Sequence, residues 1–120
     1  MRIAVASQGK ALEALVEPRF GRAPYFVIVD TDRDSVTVIS NEDSVQAGQG
    51  AGVQAAETVV GHGVDIVVSG NIGPKAFAAL SAAGVKAILW ADGTVAEAVE
   101  LLKEERLRPI QSANVEGHWQ

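Results

Sequence analysis

Residues 2–7 read RIAVAS, with Ile3, Ala4, Val5 and Ala6 apolar in an unbroken run. A run that is apolar at both parities predicts a strand covered on both faces. Gln8–Pro24 is broken by Gly9, Pro18, Gly21 and Pro24 and predicts a long loop. Tyr25–Asp30 is a second strand, Thr31–Asp34 a polar turn and Val36–Ser40 a third strand. Val36 and Val38 alternate with Thr37 and Ile39, so strands two and three form a hairpin. Asn41–Gly52 is polar, glycine-rich and long enough to read as a functional loop.

After that loop the period changes. Ala51–Gly61 predicts a helix with Val53, Ala56, Val59 and Val60 on its apolar face. Val64–Ser69 is a fourth strand. Gly73–Ala83 is a second helix, with Pro74 in the first turn, where a missing N–H costs nothing. Val85–Trp90 is a fifth strand. Thr94–Glu104 is a third helix opened by a capping box, Thr94 with Glu97 three residues on. HGVDIVVSG and AGVKAILWA place Gly63 and Gly84 alike, each after a helix and before a strand. The tail from Arg108 to Gln120 has no period, so the expected organisation is one domain over 1–107 and an irregular 108–120.

The order β-β-β-α-β-α-β-α predicts an α/β fold. Strands four and five are joined through a helix, hence parallel with a right-handed crossover. The expected sheet is five-stranded and mixed, in the order 3-2-1-4-5 with strand two antiparallel and three helices spread over both faces. Winding reverses between strands one and four, and ligands of open α/β sheets favour the crevice beyond the strand carboxyl ends at such a point.

Composition narrows the chemistry. At 120 residues one domain is the default. Aromatics are only 5%, so the core must be Val, Ala, Leu and Ile. A net charge of −5 argues against nucleic acid as a partner, since that binding rests on phosphate neutralisation. No cysteine is present, which excludes disulfides and thiolate-held metal within this chain. No apolar run reaches about 18 residues, so no membrane partner is expected, and with no secretory signal pattern the cytoplasm is the default location.

The rim of the crevice collects Ser7–Lys10, Ser69–Gly73 and Asp92–Gly93. SGNIGPKAF sets two glycines between a strand and a helix start, where free N–H groups and the helix dipole suit anions. EPRFGRAPYF brackets Phe-Gly with two arginines on the loop bordering the same crevice; the alternative is an exposed Arg22–Glu17 pair worth about 0–1 kcal/mol. No P-loop occurs, and GQGAGV is only half a dinucleotide fingerprint. His62 suits a helix C-terminus and His118 lies in the tail. Asp30, Asp32 and Asp34 fit a solvated hairpin turn better than a calcium loop. The first strand carries no carboxylate for a paired-metal nuclease. No catalytic set is suggested, and an enzyme is disfavoured.

MRIAVAS, FGRAPYFVIVD, GAGVQAAE, VDIVVSGNIGPKAFAAL and AGVKAILWADGTVAEAVE together resemble the dinitrogenase iron–molybdenum cofactor biosynthesis family, which includes NifX, NafY and the carboxyl-terminal domain of NifB. The resemblance covers about residues 1–107. It implies a ribonuclease-H-like three-layer α/β/α sandwich and a non-catalytic carrier of an iron–sulfur or iron–molybdenum type cluster. That cluster is bound transiently, with no intrinsic cofactor, and cofactor-synthesis or acceptor proteins are the partners. A histidine is common in the family just before Phe-Gly; here that position is Arg19, which cannot ligate a metal but can fork hydrogen bonds to an anion. The expected binding residues are Arg19, Phe20, Gly21, Arg22, Ser69, Gly70, Asn71 and Gly73. Two alternatives stay open: a module for another small anion such as molybdate or a phosphate-bearing metabolite, and a protein-interaction domain using Trp119 and the 41–52 loop. A homodimer also stays open.

Overall fold

In the computed structural model, which describes residues 1–46 and 50–113, the strands alternate between two cores. Ala4, Ala6, Phe26, Ile28 and Val67 face one side, and Ile3, Val5, Val27, Val29 and Val68 the other. That division is why the first strand reads apolar at every position: both of its faces are covered. The strands are β1 (Arg2–Ser7), β2 (Tyr25–Asp30), β3 (Ser35–Ser40), β4 (Ile66–Ser69) and β5 (Lys86–Leu89). They form one sheet in the order β3-β2-β1-β4-β5, as the sequence predicts. β2 is antiparallel to both neighbours, while β1, β4 and β5 run parallel.

Among the described residues four helices surround the sheet: α1 (Glu42–Val45), α2 (Ala51–Gly61), α3 (Pro74–Ala82) and α4 (Val95–Lys103). Ala55, Ala56 and Val59 of α2 and Ala76 and Leu80 of α3 complete the first core. Val95, Ala98, Val99 and Leu102 of α4 complete the second, with Val16 from the long loop. The chain is a three-layer α/β/α arrangement. Among the described residues no helix is long and apolar enough to cross a membrane.

Two local readings are corrected. The 41–52 loop contains α1, where the Asn41 carbonyl accepts the Ser44 and Val45 N–H groups (both 3.1 Å), so the helices among the described residues number four and not three. A single turn is too short to show a helical period. Asp30 is buried and not solvated: its carboxylate accepts the N–H groups of Asp32 (3.0 Å) and Arg33 (3.2 Å) and organises the hairpin turn. Residues 108–113 carry no helix or strand, and within them the Ile110 N–H donates to the Ala87 carbonyl of β5 at 2.8 Å. His118 and Trp119, and residues 47–49 of the 41–52 loop, lie outside the described residues. Gly63 (φ 67°) and Gly84 (φ 76°) take the left-handed position expected after α2 and α3.

Candidate functional site

The long loop after β1 is laced onto the turn between β4 and α3. The Ser69 hydroxyl donates to the Glu17 carbonyl (3.1 Å). The Asn71 side-chain amide donates to the Pro18 carbonyl (3.1 Å), and the Phe20 N–H returns a bond to the Asn71 carbonyl (3.1 Å). A Cβ on Gly70 would stand 2.8 Å from both the Cα and the carbonyl oxygen of Pro18, so the approach needs glycine there. Phe20 then drops into the core and packs on Phe26 with ring centroids 5.2 Å apart. Phe20–Arg22 make one turn of 3-10 helix. A buried anchor and a hydrogen-bonded clasp thus fix where Arg19 and Arg22 stand.

On its other side this turn rests on the start of α2. A Cβ on Gly21 would lie 2.8 Å from the Gly52 nitrogen, a contact real side chains do not make. A Cβ on Gly52 would in turn lie 3.1 Å from the Ala76 Cβ of α3. Small residues therefore bring three segments together: Arg19–Arg22, the start of α2 and the start of α3.

Between them lies a cavity of about 540 Å³, lined by Arg19–Arg22, Gly50–Val53, Asn71 and Gly73–Ala76. Two helix N-termini end on it. Their N-caps, Gly50 and Gly73, offer no side-chain cap, and neither first turn holds an acid. The earliest N–H groups with helical partners are those of Gln54 and Phe77, to the Gly50 and Gly73 carbonyls (both 2.9 Å). The residues that carry the donors before them, Ala51–Val53 and Lys75 and Ala76, line the cavity. Aligned peptide dipoles make each such end partly positive. Arg19, Arg22 and Lys75 add three cations, and among the described residues no carboxylate lines the cavity. The Arg22 guanidinium donates to the Val45 carbonyl (3.0 Å), which ties it to α1. Glu17 instead accepts the Arg19 backbone N–H (3.0 Å), so the Arg22–Glu17 pair does not form. The Arg19 side chain is exposed.

Of the eight residues expected at the site, Arg19, Phe20, Gly21, Arg22, Asn71 and Gly73 line the cavity. Ser69 and Gly70 do not: Ser69 is fully buried, and both hold the arginine loop from behind. Gly50–Val53 and Lys75 were not expected there. Lys75 stood within the quoted SGNIGPKAF, and an acid-free helix start in GQGAG was the available signal for α2. Ser7, Gly9 and Lys10 stay on the β1 rim, where the Ser7 hydroxyl donates to the Gly9 carbonyl (2.7 Å) and Lys10 lies 5.4 Å over the Tyr25 ring. His62 caps the far end of α2, its carbonyl accepting the Arg2 guanidinium (2.9 and 3.1 Å).

The electrostatics differ at the opposite end of the sheet. Burial pushes the Asp30 carboxyl up, but the Arg33 and Asp32 N–H groups outweigh it. With the Met1 ammonium and Arg2 nearby, the net effect holds Asp30 below its ordinary value near 3.8. Among the described residues no group of three or more His, Cys, Asp or Glu side chains could hold a metal ion. The cavity's donor set is cationic and N–H-rich. It fits an anion that brings its own ligand shell, and it does not fit a bare metal ion.

Comparison with known proteins places this geometry in context. Residues 1–105 match a family model described as dinitrogenase iron-molybdenum cofactor. The apo orange protein of Desulfovibrio gigas is 37% identical, with a TM-score of 0.92 over 95% of this chain and 96% of that one. A Thermotoga protein described as a candidate NifB is 38% identical, with a TM-score of 0.84 over 97% of this chain and 98% of that one. A Methanocaldococcus jannaschii protein described as a candidate dinitrogenase is 19% identical, with a TM-score of 0.71 over 93% of this chain and 96% of that one, and shares the fold.

Proposed function

The chain belongs to the dinitrogenase iron-molybdenum cofactor family, and from that premise we propose that it is a non-catalytic carrier that holds an anionic iron–sulfur or iron–molybdenum type cluster in the cavity between Arg19–Arg22 and the starts of α2 and α3. The observation that carries this reading is the convergence of two uncapped helix N-termini and three cations on one cavity of about 540 Å³ with no lining carboxylate among the described residues. That volume lies within the usual range of roughly 300–1,000 Å³ for small-ligand sites.

The chemistry follows from the donors. Backbone N–H groups of both helices bond the sulfur or oxygen surface of the anion, and the Arg19 guanidinium and Lys75 ammonium neutralise its charge. Among the described residues no lining side chain is a thiolate, imidazole or carboxylate, so these residues leave the cluster the ligands it arrives with. A hold without metal–protein bonds is reversible and weakens with salt, which suits a carrier that must release its cargo to an acceptor.

The same donors read charge and not iron, so a second reading is a site for another small anion; Arg19, standing where the family often has histidine, favours it. The two separate on one preparation. Anaerobic incubation with a synthetic iron–sulfur cluster, then gel filtration, should give stoichiometric iron in the protein peak, reduced in Arg19→Ala. Iron-free peaks together with stabilisation by molybdate or phosphate on thermal unfolding would move the assignment to the other anion. Neither effect would end both readings.

A further inference from the structure

We propose that β3 is the interface of a weak, two-fold symmetric dimer of this chain. The sheet has two edges, and they are treated differently. Along β5 the C-terminal segment is laid down, the Ile110 N–H donating to the Ala87 carbonyl (2.8 Å) while Ile110 packs on the first core. Nothing among the described residues covers β3. Edge strands are ordinarily protected by lysine, proline, a bulge or a covering segment. SVTVIS has no charge and no proline, and its register to β2 runs without a bulge from Tyr25↔Ser40 to Asp30↔Ser35.

The exposed groups match a second copy of themselves. The Asn41 N–H donates to the Pro24 carbonyl (2.9 Å), which fixes Pro24–Asn41 as a hydrogen-bonded pair. Antiparallel pairs alternate, so Thr37 and Ile39 bond inward to β2, while Val36 and Val38 direct their N–H and C=O groups to the open edge. The same two residues carry the exposed apolar side chains of the strand, Val36 at 50% and Val38 at 38% exposure. They lie on the face of Val29 and Val27, the α4 side, at a position α4 does not reach. An antiparallel pairing of Val36 with the second copy's Val38 about a two-fold axis satisfies these backbone groups reciprocally and joins the valines into one apolar ladder.

Charge favours the antiparallel orientation. Arg33 stands before the strand and Glu42 and Asp43 after it, so two-fold pairing brings each cation toward the other copy's acids. Asp34, beside Arg33, opposes this in part. Area sets the strength. Six residues span about 20 Å and a strand edge offers on the order of 200–300 Å² per partner, well under the ~800 Å² of a stable interface. The dimer is therefore reversible, with a dissociation constant expected at roughly 0.1–1 mM.

The test is sedimentation velocity with amide hydrogen exchange read by NMR, from about 20 µM to about 1 mM protein. The expected result is a concentration-dependent dimer in which the Val36 and Val38 amides gain protection several-fold while Thr37 and Ile39 do not change. Val38→Lys should remain monomeric at the highest concentration with its thermal unfolding near that of the parent. Leu15→Lys, at another exposed apolar residue, should leave the dimer intact. A monomer throughout, a dimer with unprotected Val36 and Val38 amides, or a dimer that survives Val38→Lys would each overturn the proposal. Protection of those amides only by a different protein would give the edge to that partner and overturn it equally.

Discussion

Gly73 and Thr94 stand at the N-caps of helices on opposite faces of the sheet in nearly the same backbone conformation, φ −72° and ψ 167° against φ −88° and ψ 166°. At α4 the start is closed. Thr94 accepts the Glu97 N–H (3.2 Å), and the Glu97 carboxylate accepts the Thr94 N–H (2.9 Å). At α3 it is open, and at α2 beside it as well. Neither steric room nor dihedral angle demands glycine at 73, since a Cβ there meets nothing within 4 Å. A cap such as Thr94 would fit. The difference lies in what the N–H groups face: α4 starts beside its own capping side chains, whereas α2 and α3 start on a cavity with three cations. A helix start left uncapped at such a place leaves its donors open to an anion.

The comparison breaks most sharply if charge is reversed. Arg19→Glu should weaken cluster binding by about tenfold to a hundredfold in an anaerobic titration, from the loss of a charge-assisted contact of roughly 1.5–3 kcal/mol. Its thermal unfolding should barely change, because the Arg19 side chain is exposed. Gly21→Val attacks the geometry instead. Its clash with the Gly52 backbone should cost about 1–3 kcal/mol in denaturant unfolding and open the cavity wall. Gly73→Asp transplants a closed start onto α3. Apo stability should rise by a few tenths of a kcal/mol while binding falls roughly tenfold, so stability and affinity move in opposite directions. Thr94→Ala is the reciprocal change: about 1 kcal/mol less stable, with binding unaltered.

The smallest effect is expected away from the site. A carboxyl whose folded pKa is depressed adds stability that is fully present above its unfolded value and disappears as pH falls through the lower folded value. Asp30, held below about 3.8, should therefore contribute a loss of stability on acidification below that pH. Asp30→Asn should flatten that part of an acid-unfolding profile.

The sheet was legible because its signals are local. RIAVAS, the hairpin around Thr31–Asp34 and the Thr94–Glu97 box each declare themselves within a few residues, and strand order then follows from connection rules. The site was half legible. Two arginines around Phe-Gly and a glycine-rich turn are visible in the chain, but the role of Ser69 and Gly70 is not. They act on the carbonyl of Glu17 and the backbone of Pro18, about fifty residues away in sequence. The helix of α2 was read with its observed bounds, Ala51–Gly61, but that its start belongs to the site was not, for the same reason: Gly21 against Gly52 is a tertiary contact with no periodic signature. α1 escaped because one turn has no period, and the Ile110 contact because a single backbone bond to β5 leaves no pattern.

The most direct measurement is amide NMR of the protein titrated anaerobically with a synthetic paramagnetic iron–sulfur cluster. The account predicts that the Gly52, Val53, Lys75 and Ala76 signals broaden first and together, while Ala96 and Glu97 at the capped start of α4 stay sharp. Broadening that spares those four amides, or that falls on α4 equally, would contradict it.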